Sequence, residues 1–229
     1  MTGGTPTTTD ARDPPPGPDS RCPLCGGSGA QPHHRDAARA YLRCPACALV
    51  FVPARHHLTA AQEKQRYDFH RNDPHDAGYR QFLARLFEPL AARLAPGATG
   101  LDYGCGPGPV LARMFEEAGF SIAVYDPYFA PDAGALQRPY DFVTCTEAAE
   151  HFADPGAEWS RIASLVRPGG WIGVMTSLYD AAPPFAGWYY KNDPTHVCFY
   201  ARRTFEWLAE QYRLRTHFLT AAVILLQRY

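Results

Sequence analysis

The stretch LDYGCGPGP, residues 101–109, constrains the fold of this chain more than any other feature. A short apolar run containing Asp102 is followed by Gly104, Gly106 and Gly108 within five positions. Glycine accepts a positive φ and lets a ligand approach the backbone closely, so this composition is typical of a turn from a buried strand into a helix. In an open parallel sheet, such a turn lies at the edge where ligands bind.

Strand and helix patterns alternate after this loop. VLARMFEEAG and RRTFEWLAEQY have helical spacing of apolar residues, whereas SIAVYD, YDFVTCTE and WIGVMTSL resemble buried strands. A further helix is predicted before the loop in AGYRQFLARLFEPLAARLAPG, with a kink at Pro89. The alternation predicts an α/β fold, in which a doubly wound, mostly parallel sheet carries helices on both faces.

Changes in composition divide the chain of 229 residues into four segments. Residues 1–20 are rich in Pro, Thr and Gly and are expected to form a disordered tail. A cysteine-rich module is predicted over residues 21–53, a polar connector over 54–75 and the main domain over 76–229.

Charge and hydrophobicity exclude several classes of protein. The formal net charge of −1 excludes a globally basic nucleic-acid binder. The apolar runs are too short to span a bilayer, and no secretion-signal pattern opens the chain, so we expect a cytoplasmic protein without a membrane partner.

Two C-x-x-C motifs form the clearest metal-binding pattern. Cys22 and Cys25 are separated by 18 residues from Cys44 and Cys47, a spacing typical of a four-thiolate zinc site. Four thiolates fill a tetrahedral coordination shell, so the predicted zinc is structural. Redox-active cysteines or a loosely bound metal are the alternatives.

The glycine loop lacks both common phosphate-binding patterns. Its G-x-G-x-G spacing differs from the dinucleotide motif G-x-G-x-x-G, and no Gly-Lys-Ser/Thr follows. Asp126 ends the next predicted strand, where a carboxylate can accept hydrogen bonds from ribose hydroxyls. These features suit a nucleoside whose tail is not anionic.

Four segments resemble, in order, the motifs of class I S-adenosylmethionine-dependent methyltransferases: LDYGCGPG, YD at 125–126, YDFVTCTEAAEHF and LVRPGGWIGVMT. The resemblance implies a Rossmann-like sheet of seven strands, with S-adenosylmethionine as cofactor. It also implies that the cofactor's methionine part borders Asp102, Gly104, Cys105, Gly106 and Gly108. Asp126 would face the ribose, and Thr146 and Glu147 would form the inner wall.

The segment between Asp126 and the next predicted strand is short for this family. Only PYFAPDAGALQRPY is available, which leaves little chain for the unit that usually supplies adenine contacts. Asp132 could accept a hydrogen bond from the adenine amino group, although a solvated loop aspartate is the preferred interpretation.

The resemblance leaves the methyl acceptor open. A similar zinc module precedes the methyltransferase domain of deoxysugar C-methyltransferases, whose large C-terminal domain has no counterpart here. Zinc ribbons also occur on RNA-modifying methyltransferases, and residues 21–66 carry a surplus of five positive charges. A small-molecule acceptor is the first hypothesis, RNA the second and a non-catalytic cofactor-binding protein the third; the oligomeric state is not predicted.

Three residues are candidates for the chemistry of methyl transfer. His196 lies in the aromatic-rich loop GWYYKNDPTHVCFY and is the preferred general base, because the histidine pKa is close to neutrality. His151 ends the motif EAAEH and would point toward the cofactor or acceptor, and Tyr189 could help to form the acceptor pocket. Packing roles for the same residues are the alternatives.

Overall fold

The computed structural model describes residues 21–69 and 72–229, so the predicted tail over 1–20 lies outside the described residues. In chain order the strands are β1 (Gln31–Arg35), β2 (Ala40–Arg43), β3 (Val50–Phe51), β4 (Thr99–Tyr103), β5 (Ser121–Tyr125), β6 (Tyr140–Thr146), β7 (Val166–Met175), β8 (Cys198–Phe199), β9 (Leu214–Phe218) and β10 (Val223–Arg228). The α-helices are α1 (Ala60–Tyr67), α2 (Ala77–Ala91), α3 (Val110–Glu117), α4 (Pro155–Ser164) and α5 (Arg202–Tyr212).

The main sheet confirms the predicted doubly wound α/β architecture. Its spatial order is β5–β4–β6–β7–β10–β9. Strand β4 runs parallel to β5 and β6, and β6 runs parallel to β7, whereas β10 is antiparallel to both of its neighbours. The carboxyl ends of β4, β5 and β6 therefore meet at one edge, as the glycine loop predicted.

The described main sheet has six strands, which corrects the expected seven. The connection from β5 to β6 contains only a short 3₁₀ helix, Ala133–Leu136. A crossover between parallel strands needs about a dozen residues. The connection is therefore long enough for one crossover from β5 to β6, but too short to include an additional strand and a second crossover helix.

Helices cover both faces of the sheet. On one face, α2 buries Leu83, Leu86 and Leu90, and it continues through Pro89. On the other face, Trp159 of α4 and Phe205 of α5 are fully enclosed. Within residues 21–69 and 72–229, no helix combines the length and apolar character needed to cross a bilayer.

The cysteine module, residues 21–53, shares a second sheet with the main domain. This sheet has the order β1–β2–β3–β8, in which Val50 pairs with Phe199 and Phe51 with Cys198. At the other end of the module, the backbone N–H of Gly156 in α4 donates to the Pro23 carbonyl. The module is therefore joined to the main domain at two places.

Helix α1 lies in the predicted connector and was not anticipated. The side chain of Thr59 accepts from the Gln62 N–H, and the Gln62 side chain accepts from the Thr59 N–H. This reciprocal capping box is a sequence signal for a helix start, although α1 has few apolar residues. Helix α1 lies at the carboxyl ends of the central strands, where it lines the cavity described below.

Candidate active site

A cavity of about 650 Å³ lies at the carboxyl ends of β4, β5 and β6. Its volume is in the range of small-molecule sites. Glu63 and Tyr67 of α1 line the cavity, and the Tyr128 hydroxyl, which follows β5, donates to Glu63 over 2.9 Å. Helix α1 thus forms one wall of the predicted ligand site.

The glycine loop has two functions in this structure. Gly104 and Gly106 have φ angles of +79° and +66°, and both residues line the cavity together with Cys105. Gly108 instead packs against the connector, where a Cβ would lie only 2.5 Å from the Asn72 carbonyl oxygen. The first two glycines therefore shape the cavity, and the third allows the chain to pass closely above the loop.

Asp126 connects the glycine loop to the end of β5. Its carboxylate accepts from the backbone N–H groups of Gly106, Tyr128 and Phe129 over 2.8–3.0 Å. A carboxylate offers about four lone-pair positions, so one remains for a ligand hydroxyl. A second ligand hydroxyl would have to displace one of these backbone donors.

Asp102 lies behind the glycine loop and is only 4% exposed. The Thr144 hydroxyl donates to its carboxylate over 2.7 Å. Burial raises the pKa of Asp102 to about 6, and the nearby Asp126 carboxylate adds to the increase. Asp102 is not among the described lining residues of the cavity, so its position below the loop is suited to supporting the loop and not to direct contact with a ligand.

Thr146 and Glu147 both line the cavity beyond the end of β6. The Thr146 hydroxyl is buried and has no hydrogen-bond partner among the described residues. Glu147 has a φ of +47°, a region that non-glycine residues rarely adopt. Burial, followed by repulsion from Glu150, raises the pKa of Glu147 to about 8, so this carboxyl group is mostly protonated at neutral pH.

His151 and His196 face each other with ring centroids 4.7 Å apart. The Nδ1 atom of His196 lies 2.7 Å from the Tyr190 carbonyl oxygen, and that of His151 lies 3.2 Å from the Thr195 carbonyl oxygen. A carbonyl only accepts, so each neutral ring carries its hydrogen on Nδ1 and has a free lone pair on Nε2. Burial lowers the pKa of His196, which favours this neutral form.

Glu150 completes this group of side chains. One oxygen atom of Glu150 and one ring nitrogen each of His151 and His196 lie within 4.8 Å of one another, close enough to bind a common metal ion. However, the Glu150 carboxylate already accepts from the Tyr190 hydroxyl over 2.5 Å and from the Thr176 hydroxyl over 3.0 Å. These bonds assign the carboxylate to a hydrogen-bond network around the histidines.

The tyrosine that reaches this network is Tyr190. Its hydroxyl lies between the carboxyl groups of Glu147 and Glu150. Tyr189, the residue selected from the sequence, is 75% exposed and is not among the described residues that line the cavity. Adjacent residues of an irregular loop point in different directions, and no sequence period distinguishes them.

The lining is strongly acidic. Besides His151 and His196, it contains seven carboxyl groups, from Glu63, Asp126, Glu147, Glu150, Asp154, Glu158 and Asp193. Glu158 is partly neutralised by Arg161, whose guanidinium lies 3.1 Å from its carboxylate. The resulting electrostatic potential favours neutral or cationic ligands over anionic ones.

The four cysteines of the two C-x-x-C motifs come together outside this cavity. The Sγ atoms of Cys22 and Cys47 are 3.6 Å apart, and those of Cys25 and Cys44 are 3.5 Å apart. A tetrahedral zinc site with bonds of about 2.3 Å has sulfur atoms about 3.8 Å apart. The arrangement of thiols therefore fits the predicted metal.

Comparison with known proteins identifies a match over most of the main domain. Residues 75–217 match the family described as a methyltransferase domain. The ubiquinone biosynthesis O-methyltransferase of Serratia proteamaculans is 37% identical over 85 residues, covering 37% of this chain and 35% of that protein. Its counterpart in Aeromonas salmonicida is 36% identical over 91 residues, covering 40% and 38%. The chain thus matches little more than a third of the length of these relatives.

The chain is also similar to solved structures at low sequence identity. Streptomyces venezuelae DesVI superimposes with a TM-score of 0.50 and 13% identity, over 75% of this chain and 99% of that chain. The 1,6-didemethyltoxoflavin-N1-methyltransferase of Burkholderia thailandensis was solved with 1,6-didemethyltoxoflavin and S-adenosylhomocysteine. It has a TM-score of 0.48 and 19% identity, over 86% of this chain and 97% of that chain.

The buried carboxyl group of Asp102 should make stability depend on pH. Its pKa of about 6 exceeds the ordinary value of 3.8, so the native state loses stability as pH rises between these values. Asp102→Asn removes this penalty and should increase the free energy of unfolding at pH 7 by up to about 3 kcal/mol, with little gain at pH 4. Urea unfolding at both pH values measures the difference, and an equal effect at both would contradict the assignment.

Proposed function

The chain belongs to the methyltransferase domain family, and from this membership we propose that it transfers a methyl group from S-adenosylmethionine to a small-molecule acceptor. One observation carries the proposal. A single cavity is lined both by the glycine loop with Asp126 and by His151 and His196. Groups suited to hold a nucleoside and groups suited to accept a proton therefore share one site.

The residues around the glycine loop fit the cofactor. S-adenosylmethionine supplies, when bound, a methyl group on a positively charged sulfur. Asp126 retains one acceptor position for a ribose hydroxyl, and Gly104 and Gly106, which have positive φ angles, line the cavity beside it. The unpartnered hydroxyl of Thr146 offers a further hydrogen bond in the same wall.

His196 is the proposed general base. The proton of the acceptor passes to its Nε2 atom, while the acceptor atom forms a bond to the methyl carbon. Bound S-adenosylmethionine would supply this methyl carbon, and its sulfur would keep the electron pair of the carbon–sulfur bond. Glu150 and His151 lie beside the imidazole of His196. The Glu150 carboxylate stabilises the positive charge that the imidazole gains, and the contact with the His151 ring stabilises its orientation.

The charge of the site supports a neutral or cationic acceptor. The carboxylates of the lining that stay ionised, such as Asp126 and Glu63, would repel a phosphorylated molecule or an RNA backbone. The basic residues of the cysteine module do not all form a free surface, since Arg39 is only 7% exposed. The relatives named for ubiquinone biosynthesis further support a small acceptor over RNA.

We also propose that Cys22, Cys25, Cys44 and Cys47 bind one structural zinc ion. The support is the close fit of the sulfur separations to a tetrahedral shell. A site with four protein ligands has no open position, so this zinc would stabilise the cysteine module without taking part in methyl transfer. The likeness of this module to that of deoxysugar C-methyltransferases stays a prediction from the sequence.

Cofactor binding should depend on Asp126. Loss of a hydrogen bond to a charged group costs about 1.5–3 kcal/mol, so Asp126→Ala should weaken S-adenosylhomocysteine binding by about 10- to 100-fold. Asp180→Ala is the matched control, because Asp180 is exposed, lies outside the cavity lining and accepts from the Arg202 N–H. Titration calorimetry measures both variants, and unchanged affinity in Asp126→Ala would exclude this cofactor site.

Methyl transfer can be followed before the acceptor is known. Label from methyl-tritiated S-adenosylmethionine, incubated with a host extract, should enter the small-molecule fraction. Label in RNA would support the alternative acceptor, and binding without transfer would support a non-catalytic protein.

His196→Ala should reduce transfer of the label by about 10²-fold or more, with cofactor affinity unchanged. Because burial lowers the pKa of His196, wild-type activity should decline only below the ordinary histidine pKa of about 6.5. An equal loss of binding and transfer would indicate a folding role for His196.

Zinc should be present at about one equivalent per chain. Elemental analysis after removal of loosely bound metal tests this content, and Cys22→Ser should reduce it strongly because the coordination shell loses one of four thiolates. Cys145→Ser is the matched control, since Cys145 is buried in β6 away from the cluster. A folded wild-type protein without metal would refute the assignment.

A further inference from the structure

Arg39 is a buried cation that joins the cysteine module to the cavity. It lies directly before β2 and is 7% exposed. We propose that Arg39 is a positioning residue that fixes the orientation of both active-site histidines through the loop 190–195. The functional consequence rests on the proposed function, in which His196 accepts a proton, whereas the structural role can be tested without it.

The guanidinium of Arg39 binds three backbone carbonyls of this loop. Its Nη2 atom donates to the carbonyls of Lys191 over 2.5 Å and Asp193 over 2.7 Å, and its Nη1 atom donates to Pro194 over 3.1 Å. The planar guanidinium has donors in a fixed geometry, so three bonds to successive parts of one loop specify the loop's conformation.

The guanidinium is itself held in place. Its Nε atom donates to the Tyr41 hydroxyl over 2.9 Å, and that hydroxyl donates to the Asp36 carboxylate over 2.8 Å. Asp36 also faces the ammonium group of Lys191 at 3.4 Å. Asp36 therefore offsets part of the positive charge of Arg39 and Lys191, and the direction of the guanidinium is set from the side of the cysteine module.

The backbone carbonyls of Tyr190 and Thr195 determine which ring nitrogen of each histidine carries the hydrogen. The Tyr190 carbonyl accepts from Nδ1 of His196, and the Thr195 carbonyl accepts from Nδ1 of His151. Each ring therefore presents its free Nε2 lone pair only while these carbonyls keep their positions. Arg39 binds the segment between the two carbonyls, at residues 191, 193 and 194.

Loss of the guanidinium would leave three loop carbonyls without this donor. The loop could then adopt several conformations, and the carbonyls that select the Nδ1–H form of each ring would move. An imidazole without a fixed partner exchanges its hydrogen between both nitrogens. Arg39 thus acts on the proposed base through the backbone, without touching the acceptor.

The test measures the tautomers of His151 and His196 by ¹⁵N NMR of the imidazole nitrogens in the full chain, at a pH where both rings are neutral. The wild type should show hydrogen on Nδ1 in both rings, and Arg39→Met should show exchange between both nitrogens. Arg43→Met is the control: Arg43 is the last residue of β2, and its side chain donates to the Tyr179 hydroxyl and, among the described residues, makes no hydrogen bond to the loop. Tyr41→Phe keeps the ring in the core and should cause a smaller change in the same direction.

A second measurement separates this role from cofactor binding and from folding. Zinc content and S-adenosylhomocysteine affinity of Arg39→Met should stay within about twofold of the wild type, while label transfer falls by up to about 10²-fold. Unchanged tautomers in both Arg39→Met and Tyr41→Phe would overturn the proposal, as would equal effects of Arg43→Met. Failure of the wild type to bind S-adenosylhomocysteine would refute the proposed function instead and leave the tautomer result standing.

Discussion

The pairing of β3 with β8 is the constraint on which the acceptor side of the site depends. Strand β8 follows the loop that carries His196, and β3 ends the cysteine module. The two-residue ladder brings these distant segments together, and the Val52 N–H extends it by donating to the Val197 carbonyl over 2.9 Å. The module is therefore part of the wall that supports the cavity, and a structural metal within it would stabilise the site indirectly.

Buried carboxyl groups determine the electrostatics of the cavity. Glu147 and Glu150 share the Tyr190 hydroxyl, and mutual repulsion together with burial keeps Glu147 mostly protonated at neutral pH. In the proposed reaction, bound S-adenosylmethionine would supply its methyl group from a positively charged sulfur that becomes neutral. A full negative charge beside the cofactor would stabilise the reactant more than the transition state, whereas a neutral carboxyl group avoids that cost.

Much of the cavity wall formed by the ends of β4 and β5 could be predicted because its signals are local. The alternation of apolar segments indicated the sheet, and Gly104 and Gly106 border the cavity as expected from their place after β4. Asp126 also reaches the cavity, since carboxyl ends of adjacent parallel strands meet at one edge. The spacing of the cysteines predicted a cluster that the structure brings together. Asp102 was expected to border the ligand but lies buried below the loop, outside the cavity lining. Its burial depends on the pairing of β6 with β4, which no local pattern shows.

The sequence by itself determined the alternation of strands and helices that follows the glycine loop, the position of that loop and the grouping of four thiols, because each depends on short periodic or regularly spaced patterns. Only the tertiary structure decided that α1 covers the cavity, that Tyr190 and not Tyr189 joins the histidines, and that Arg39 holds the loop beside them. The contacts of Arg39 connect residues more than 150 positions apart. No local pattern encodes such contacts, which arise because β3 of the cysteine module pairs with β8, the strand that follows the loop.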